Sequence, residues 1–248
     1  RNPERHADNE EILRRSRAFR EILDRWSLLP DVPKEVYAPV LDLQGDTRVV
    51  EDGPAGAALV IPFVDTERVQ GAVVRRDASL FPEGAFSLEV AVKPGDRFHE
   101  KLADSRWGHR ACLVDTMAVD YVHQNLAVEC KQGYQMELRR ADGGGVRVAV
   151  SLGFGRDEEL AVFQTEPLPF SPGEWYRILF AYDGKGTGRI TVNGASAAEA
   201  TYAGRAGIVP SQRHGMHIGE RATSTYRSFP GAIGLVRLHH RSVPGEAE

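Results

Sequence analysis

Two periodicities divide the chain. Between Asp8 and Pro30 apolar residues recur at helical spacing: Ile12, Phe19, Ile22, Leu23 and Trp26, set among Arg14, Arg15, Arg17, Arg20 and Asp24. Asp8 followed by Glu11 resembles a capping box, and Pro30 and Pro33 close the run. The pattern predicts one amphipathic helix ending near Leu29. A single helix of this kind is not stable alone, so its apolar stripe must dock. The expected dock is the domain that follows, with a partner protein as the alternative. Acidic residues share its polar face, which disfavours a membrane-surface helix.

After Pro39 the period changes to two. Strand-like runs occur at Val40–Leu43, Ala57–Phe63, Gln70–Val74, Phe86–Val92, Ala111–Thr116, Leu126–Cys130, Tyr134–Arg139, Val146–Leu152, Leu160–Gln164, Trp175–Tyr182, Gly188–Val192, Met216–Ile218 and Ala232–His239. Turn signals separate them, among them Asp52-Gly53-Pro54, Pro94-Gly95-Asp96, Asp142-Gly143-Gly144-Gly145 and Asp183-Gly184. Many short strands without βαβ alternation predict an all-β sandwich or barrel. In Phe86–Val92 the apolar residues 86, 88, 90 and 92 alternate toward one core. In Trp175–Tyr182 both faces are largely apolar apart from Arg177, the pattern of a strand covered on both sides. The expected organisation is a docked helical segment over 1–35, one β-domain over 36–243 and a tail over 244–248.

Bulk properties narrow the function classes. The 248 residues carry a formal net charge of −4, with basic and acidic residues interleaved, which does not suit a nucleic-acid binder. No stretch of about 18 apolar residues is present, so no membrane-spanning helix is expected. Arginine outnumbers lysine, and Ala, Gly and Val are abundant, a composition typical of GC-rich bacterial coding. Cys112 and Cys130 are too few for a disulfide framework or a structural zinc site. They face each other if the intervening segment folds as a hairpin centred on Tyr121; otherwise they are two buried thiols.

Three ordered stretches resemble the laminin G-like jelly rolls of the concanavalin A-like lectin/glucanase superfamily. Ala85 to Pro94 is similar to the family's Phe-Thr-Leu/Ile-Glu-x-Trp-Val-Lys-Pro strand, with Ala91 in place of tryptophan. Phe170 to Gly184, followed by Gly188 to Gly194, is similar to its Trp-containing strand, Asp-Gly turn and Val-Asn-Gly hairpin. His217 to Gly219, followed by Phe229 to Leu238, is similar to its closing strands. The resemblance covers roughly Val36 to Val243. It implies a β-sandwich that binds saccharide, protein or lipid; some relatives cleave polysaccharides. No cofactor is required. Calcium is admitted by the family, but Gly234 stands where an aspartate often helps hold it. Phe98 to Asn125 is longer and more polar than the family's usual link, and such segments tend to carry function.

That segment holds the richest candidate chemistry, Trp107-Gly108-His109-Arg110 and Asp120 to Asn125. Trp107, Tyr121 and Tyr134 offer flat faces for a sugar ring. Arg110 can pair with a uronate carboxylate in a fork. Tyr121 and His123, two apart on a strand, share a face and form the acid/base pair of a lyase; Gln124 or Asn125 would hydrogen-bond the sugar acid. A retaining glycosidase is disfavoured, because the Glu-x-Asp-x-Glu strand of the glucanase relatives is missing. Glu137-Leu138-Arg139-Arg140 only partly resembles the Arg-x-Glu-x-Arg strand of alginate lyases. A metal at His214 and His217 is disfavoured, since their spacing suits a helix and the context is a loop. His239 and His240 are expected on opposite faces.

The expected function is therefore polysaccharide or oligosaccharide binding outside the cytoplasm, through Trp107, His109, Arg110, Tyr121, His123, Gln124 and Tyr134. Polysaccharide cleavage by Tyr121 and His123 is the first alternative. A protein-interaction module, contacting its partner through the N-terminal helix, is the second.

Overall fold

A computed structural model describes residues 41–65, 68–123, 126–156, 159–211, 215–222 and 227–243, with the side chains of Trp107, 118–123, 126–130 and Arg156 excepted. The expected N-terminal helix lies outside the described residues, as do Gln124, Asn125 and His214.

Two antiparallel sheets make the domain. The first contains β1 (Leu41–Gln44), β4 (Gly71–Val74), β14 (Met216–Ile218), β6 (Arg110–Asp115), β8 (Leu126–Arg140), β9 (Val146–Arg156) and β10 (Ala161–Gln164) in that spatial order, with β7 (Ala118–His123) also paired to β8. The second runs β13 (Ala195–Thr201), β12 (Thr187–Val192), β11 (Tyr176–Tyr182), β5 (Phe86–Pro94), β15 (Gly231–His239), β3 (Ala58–Ile61) and β2 (Arg48–Val50). A six-residue helix, α1 (Phe98–Ala103), leads from β5 toward β6.

The core lies between the sheets and follows the alternation. Phe86, Leu88, Val90 and Val92 of β5 are fully buried, as are Ile178, Phe180 and Tyr182 of β11. Facing them from the other sheet are Tyr134, Met136 and Leu138 of β8 and Val148, Val150 and Leu152 of β9. Phe86 meets Tyr134, Phe180 and Tyr182 at ring centroid distances of 5.7–5.9 Å, the offset and edge-on spacing that aromatic rings favour. Only one face of β11 is buried. Leu179 and Ala181 on the other face line a surface groove with Asp183 and Thr187, so the strand is covered on one side.

The segment expected as an inserted link contributes to the sheet itself. β6 is an interior strand between β14 and β8, and β7 continues along the same edge of β8 after a break at Thr116 and Met117. The break sits opposite Gly133, whose φ is +83°; a Cβ there would stand 2.6 Å from the Thr116 carbonyl oxygen. A left-handed glycine thus lets β8 run through as one strand where two were expected. The register also excludes a disulfide between Cys112 and Cys130. Cys112 lies opposite Glu137 and Cys130 opposite Asp120, seven residues apart along β8, or roughly 20 Å. A disulfide needs its Cα atoms within about 7 Å. Cys112 is a free, buried thiol, and burial pushes its pKa up.

Candidate functional site

The positions of the first sheet that point away from the core are mostly polar, and most of them are buried. On β8 the residues between the core side chains are Gln135, Glu137 and Arg139; on β9 they include Arg147, Ala149 and Ser151; on β6 they include Arg110 and Cys112. The ladder sets Arg110 opposite Arg139, and Arg139 opposite Arg147. Three arginines therefore stand in one row across three adjacent strands. Their side chains are 39%, 21% and 28% exposed, respectively.

One turn and one irregularity create this row. β8 and β9 are joined through Gly143, Gly144 and Gly145, all with positive φ, which closes the hairpin so that Arg140 meets Val146. A register shift between Cys112 and Val114 aligns the start of β6 with the end of β8. The corner before β6 is equally defined. Asp104 accepts from the Arg106 backbone N–H at 2.9 Å and caps a 3₁₀ turn over Ser105–Trp107. His109 has φ +58°, and its Nδ1 lies 2.9 Å from the Leu102 carbonyl oxygen.

Glu137 is the counter-ion within the row. It is wholly buried; its Oε1 accepts from Arg139 Nε at 2.7 Å and Arg110 Nη1 at 3.4 Å, while its Oε2 has no hydrogen-bond partner. Burial lowers the Arg110 pKa; Glu137 opposes that shift, and Arg139, Arg227 and Arg221 add to it. Arg139, Arg221 and Arg227 thus lie within electrostatic reach of Arg110.

Two further carboxylates hold the loop after β14. Asp115 accepts from the backbone N–H of Met117 at 2.8 Å and of Ala222 at 2.9 Å. Burial raises its pKa to about 6 against the pull of those two bonds. Glu220 Oε1 accepts from the Arg221 and Arg227 backbone N–H groups at 2.9 and 3.0 Å. Its pKa is raised to about 7, again chiefly by burial. Lys101 on α1 is buried beside it, donates to Ser228 Oγ at 2.8 Å, and is lowered to about 8 by desolvation. These groups are engaged in shaping the loop, which carries Arg221 and Arg227 to the arginine row.

The residues singled out from sequence do not form one cluster. The turn containing Trp107, with His109 and Arg110, lies at the arginine-row end of β8. Tyr121 and His123 pair with Glu129 and Leu126, so Tyr121 sits ten residues of β8 away from Arg110, roughly 30 Å. The pairing register of β7 with β8 shifts between Tyr121 and His123. Their side chains, that of Trp107 and all of Gln124 lie outside the described residues. Tyr134 is a correction. It is wholly buried, and its hydroxyl donates to the Leu80 carbonyl at 2.9 Å, so no face is left for a sugar. Its partners in the core are aromatic and aliphatic, which is why an apolar-polar ring was chosen there.

Sequence reasoning met Arg139 only in a partial lyase-like motif and did not single out Arg147. Each stands at an outward position of an alternating strand, and their meeting depends on the register. Gly234, expected to bear on calcium, lies at a register shift in β15, where a Cβ would come within 2.4 Å of Pro54 Cδ. Among the described residues no group of three or more His, Cys, Asp or Glu side chains is placed to hold a metal ion. Nor is any helix among them long and apolar enough to cross a membrane.

Solved structures share this arrangement of strands. Domain 4 of AbnA, a GH43 extracellular arabinanase from Geobacillus stearothermophilus solved with arabinotriose, is 14% identical with a TM-score of 0.50; the match covers 82% of both chains. The binding domain of botulinum neurotoxin DC in complex with rat synaptotagmin II is 10% identical with a TM-score of 0.55, and the match covers 84% of this chain and 44% of that one. A botulinum neurotoxin type C structure, whose cell entry is described as dependent on two ganglioside molecules, is 11% identical with a TM-score of 0.54, covering 83% and 44%. The chain thus spans less than half the length of these neurotoxin chains. No curated protein matches the sequence. The Laminin_G_3 family matches residues 68–246, well over half of the sequence, and the chain belongs to this family of the concanavalin A-like lectin/glucanases superfamily.

Proposed function

We propose that the protein binds a polysaccharide outside the cytoplasm, on the outward face of the first sheet where Arg110, Arg139 and Arg147 stand in a row. The row itself carries the reading. Like charges set opposite one another across strands are destabilising, and these three arginines share two carboxylates, buried Glu137 and exposed Glu166, so the row keeps an excess of positive charge. Guanidinium planes give sugars both a stacking surface and a fork of donors. The neighbouring corner adds the His109 imidazole at the same end. Saccharide-associated domains among the fold neighbours support the same class of ligand.

The test is affinity electrophoresis through gels containing neutral or acidic polysaccharides. Retardation by at least one polymer, lost in the double variant Arg139→Ala/Arg147→Ala and kept in Tyr121→Ala/His123→Ala, is the expected result. Retardation that survives the arginine changes would remove the site assignment. The cleavage alternative is checked on the same polymers: new unsaturated chain ends, abolished by Tyr121→Phe, would make the protein a lyase.

A further inference from the structure

We infer that the ligand is an anionic polysaccharide, with a carboxylate or sulfate on its repeating unit, and that it lies across the strands along the Arg110–Arg139–Arg147 row. This rests on the polysaccharide reading above and adds its chemical class and direction.

Charge and donor supply both favour an anion. Within the row, Arg110 and Arg139 share one oxygen of a single carboxylate, Glu137, while Asp115 and Glu220 nearby act on Arg221 and Arg227. Arg147 extends the strip to β9, where its ion partner is Glu166 at 3.5 Å, a residue 87% exposed and therefore easily displaced. Arg110 and Arg147 each keep Nε and Nη2, and Arg139 keeps Nη1, without a hydrogen bond to any described residue. A neutral sugar would leave the excess of three arginines over two carboxylates in the row, whereas carboxylate and sulfate accept the guanidinium fork directly.

The shape favours a polymer over a small anion. The three side chains are partly exposed along a line two inter-strand spacings long, roughly 10 Å. A small ion would engage one or two of them, while a chain with a charge on successive units engages all three. Glu137, the buried part of the row, occupies one donor of Arg110 and competes with the ligand for Arg139.

The experiment compares immobilised alginate and polygalacturonate with their carboxyl-reduced neutral forms, and adds heparin as the sulfated arm. The wild type should bind an acidic polymer and not the reduced form, with retention falling steeply as salt rises. Arg147→Gln should weaken it about tenfold, the contribution of a charged hydrogen bond, and Arg147→Lys less, with thermal stability unchanged in both. Binding to heparin alone would assign the anion as sulfate; binding to a polyuronate alone would assign it as carboxylate. Equal binding to a polyuronate and its reduced form, or full binding by Arg147→Gln, would overturn the anionic inference and leave polysaccharide binding standing. No retention on any polymer, neutral ones included, would overturn both.

Discussion

Each sheet carries a buried glutamate among arginines on its outward face, and the two arrangements differ in what they leave over. Glu89 on β5 is closed. One of its oxygens accepts from Arg177 Nε; the other accepts from Arg237 Nη1 at 3.3 Å and lies 3.9 Å from His239 Nε2. Burial alone would raise its pKa, but the hydrogen bonds from His239 and Arg177 and the charge of Arg237 lower it. Glu137 on β8 is open. A single oxygen serves both Arg110 and Arg139, and the other has no partner. A carboxylate whose oxygens are both engaged by cations is a structural bridge. One that leaves guanidinium donors unengaged is where the proposed anion would bind.

The largest expected effect falls on the closed bridge. Glu89→Gln should cost roughly 3 kcal/mol, because breaking a buried pair strands its cations, and denaturant melts should show this with polysaccharide retention unchanged. Glu137→Gln should cost less, roughly 1–2 kcal/mol, since its amide can occupy the oxygen position that lacks a partner. In contrast to Glu89→Gln, it should tighten retention on an acidic polymer by freeing Arg110 and Arg139. Equal stability losses with no change in retention for either variant would erase the distinction.

Gly145→Ala comes next. Its φ is +79°, and a Cβ would meet Pro167 Cβ at 3.0 Å, so about 1–2 kcal/mol of strain is expected at the turn that aligns Arg139 with Arg147. Stability and retention should fall together. Arg189→Ala, which breaks the exposed pair with Glu199, should change stability by about 0.5 kcal/mol or less and retention not at all.

Acidity separates the regions as well. Asp115 and Glu220, near the open cluster, are raised to about 6 and about 7, so the folded state holds more protons than the unfolded chain between roughly pH 4 and 7. Their contribution to stability therefore declines as pH rises through that window. Glu89 has the opposite sign: its contribution is present above the ordinary carboxylate pKa and is lost as pH falls below it. Melting temperature should be higher at pH 5.5 than at pH 7.5, and Glu220→Gln should flatten the difference.

Alternation made most of the sandwich legible. Phe86–Val92 and Met216–Ile218 appear where period two placed them, because one buried face imposes that period. The strand Ala195–Thr201 escaped notice, being rich in alanine and lacking the branched and aromatic residues that mark strands; its pairing to β12 holds it. The runs Leu126–Cys130 and Tyr134–Arg139, expected as two strands, are one 15-residue strand that passes through Gly133 in a left-handed conformation. The site was half legible. Arg110 and the Trp107–His109 corner stood out as a dense polar cluster. Arg139 and Arg147 did not, because a row across strands is a property of register, and register here depends on a glycine turn and on a shift at Cys112. Sequence proximity joined Arg110 to Tyr121, and the ladder carries them to opposite ends.

The most direct test of the open-versus-closed distinction is an NMR titration with an acidic oligosaccharide, observing arginine side-chain Nε–Hε signals. The Arg110, Arg139 and Arg147 signals should move and slow their solvent exchange, while those of Arg177, Arg189 and Arg237 stay in place. Movement confined to the second set, or to residues around Tyr121 and His123, would contradict the account.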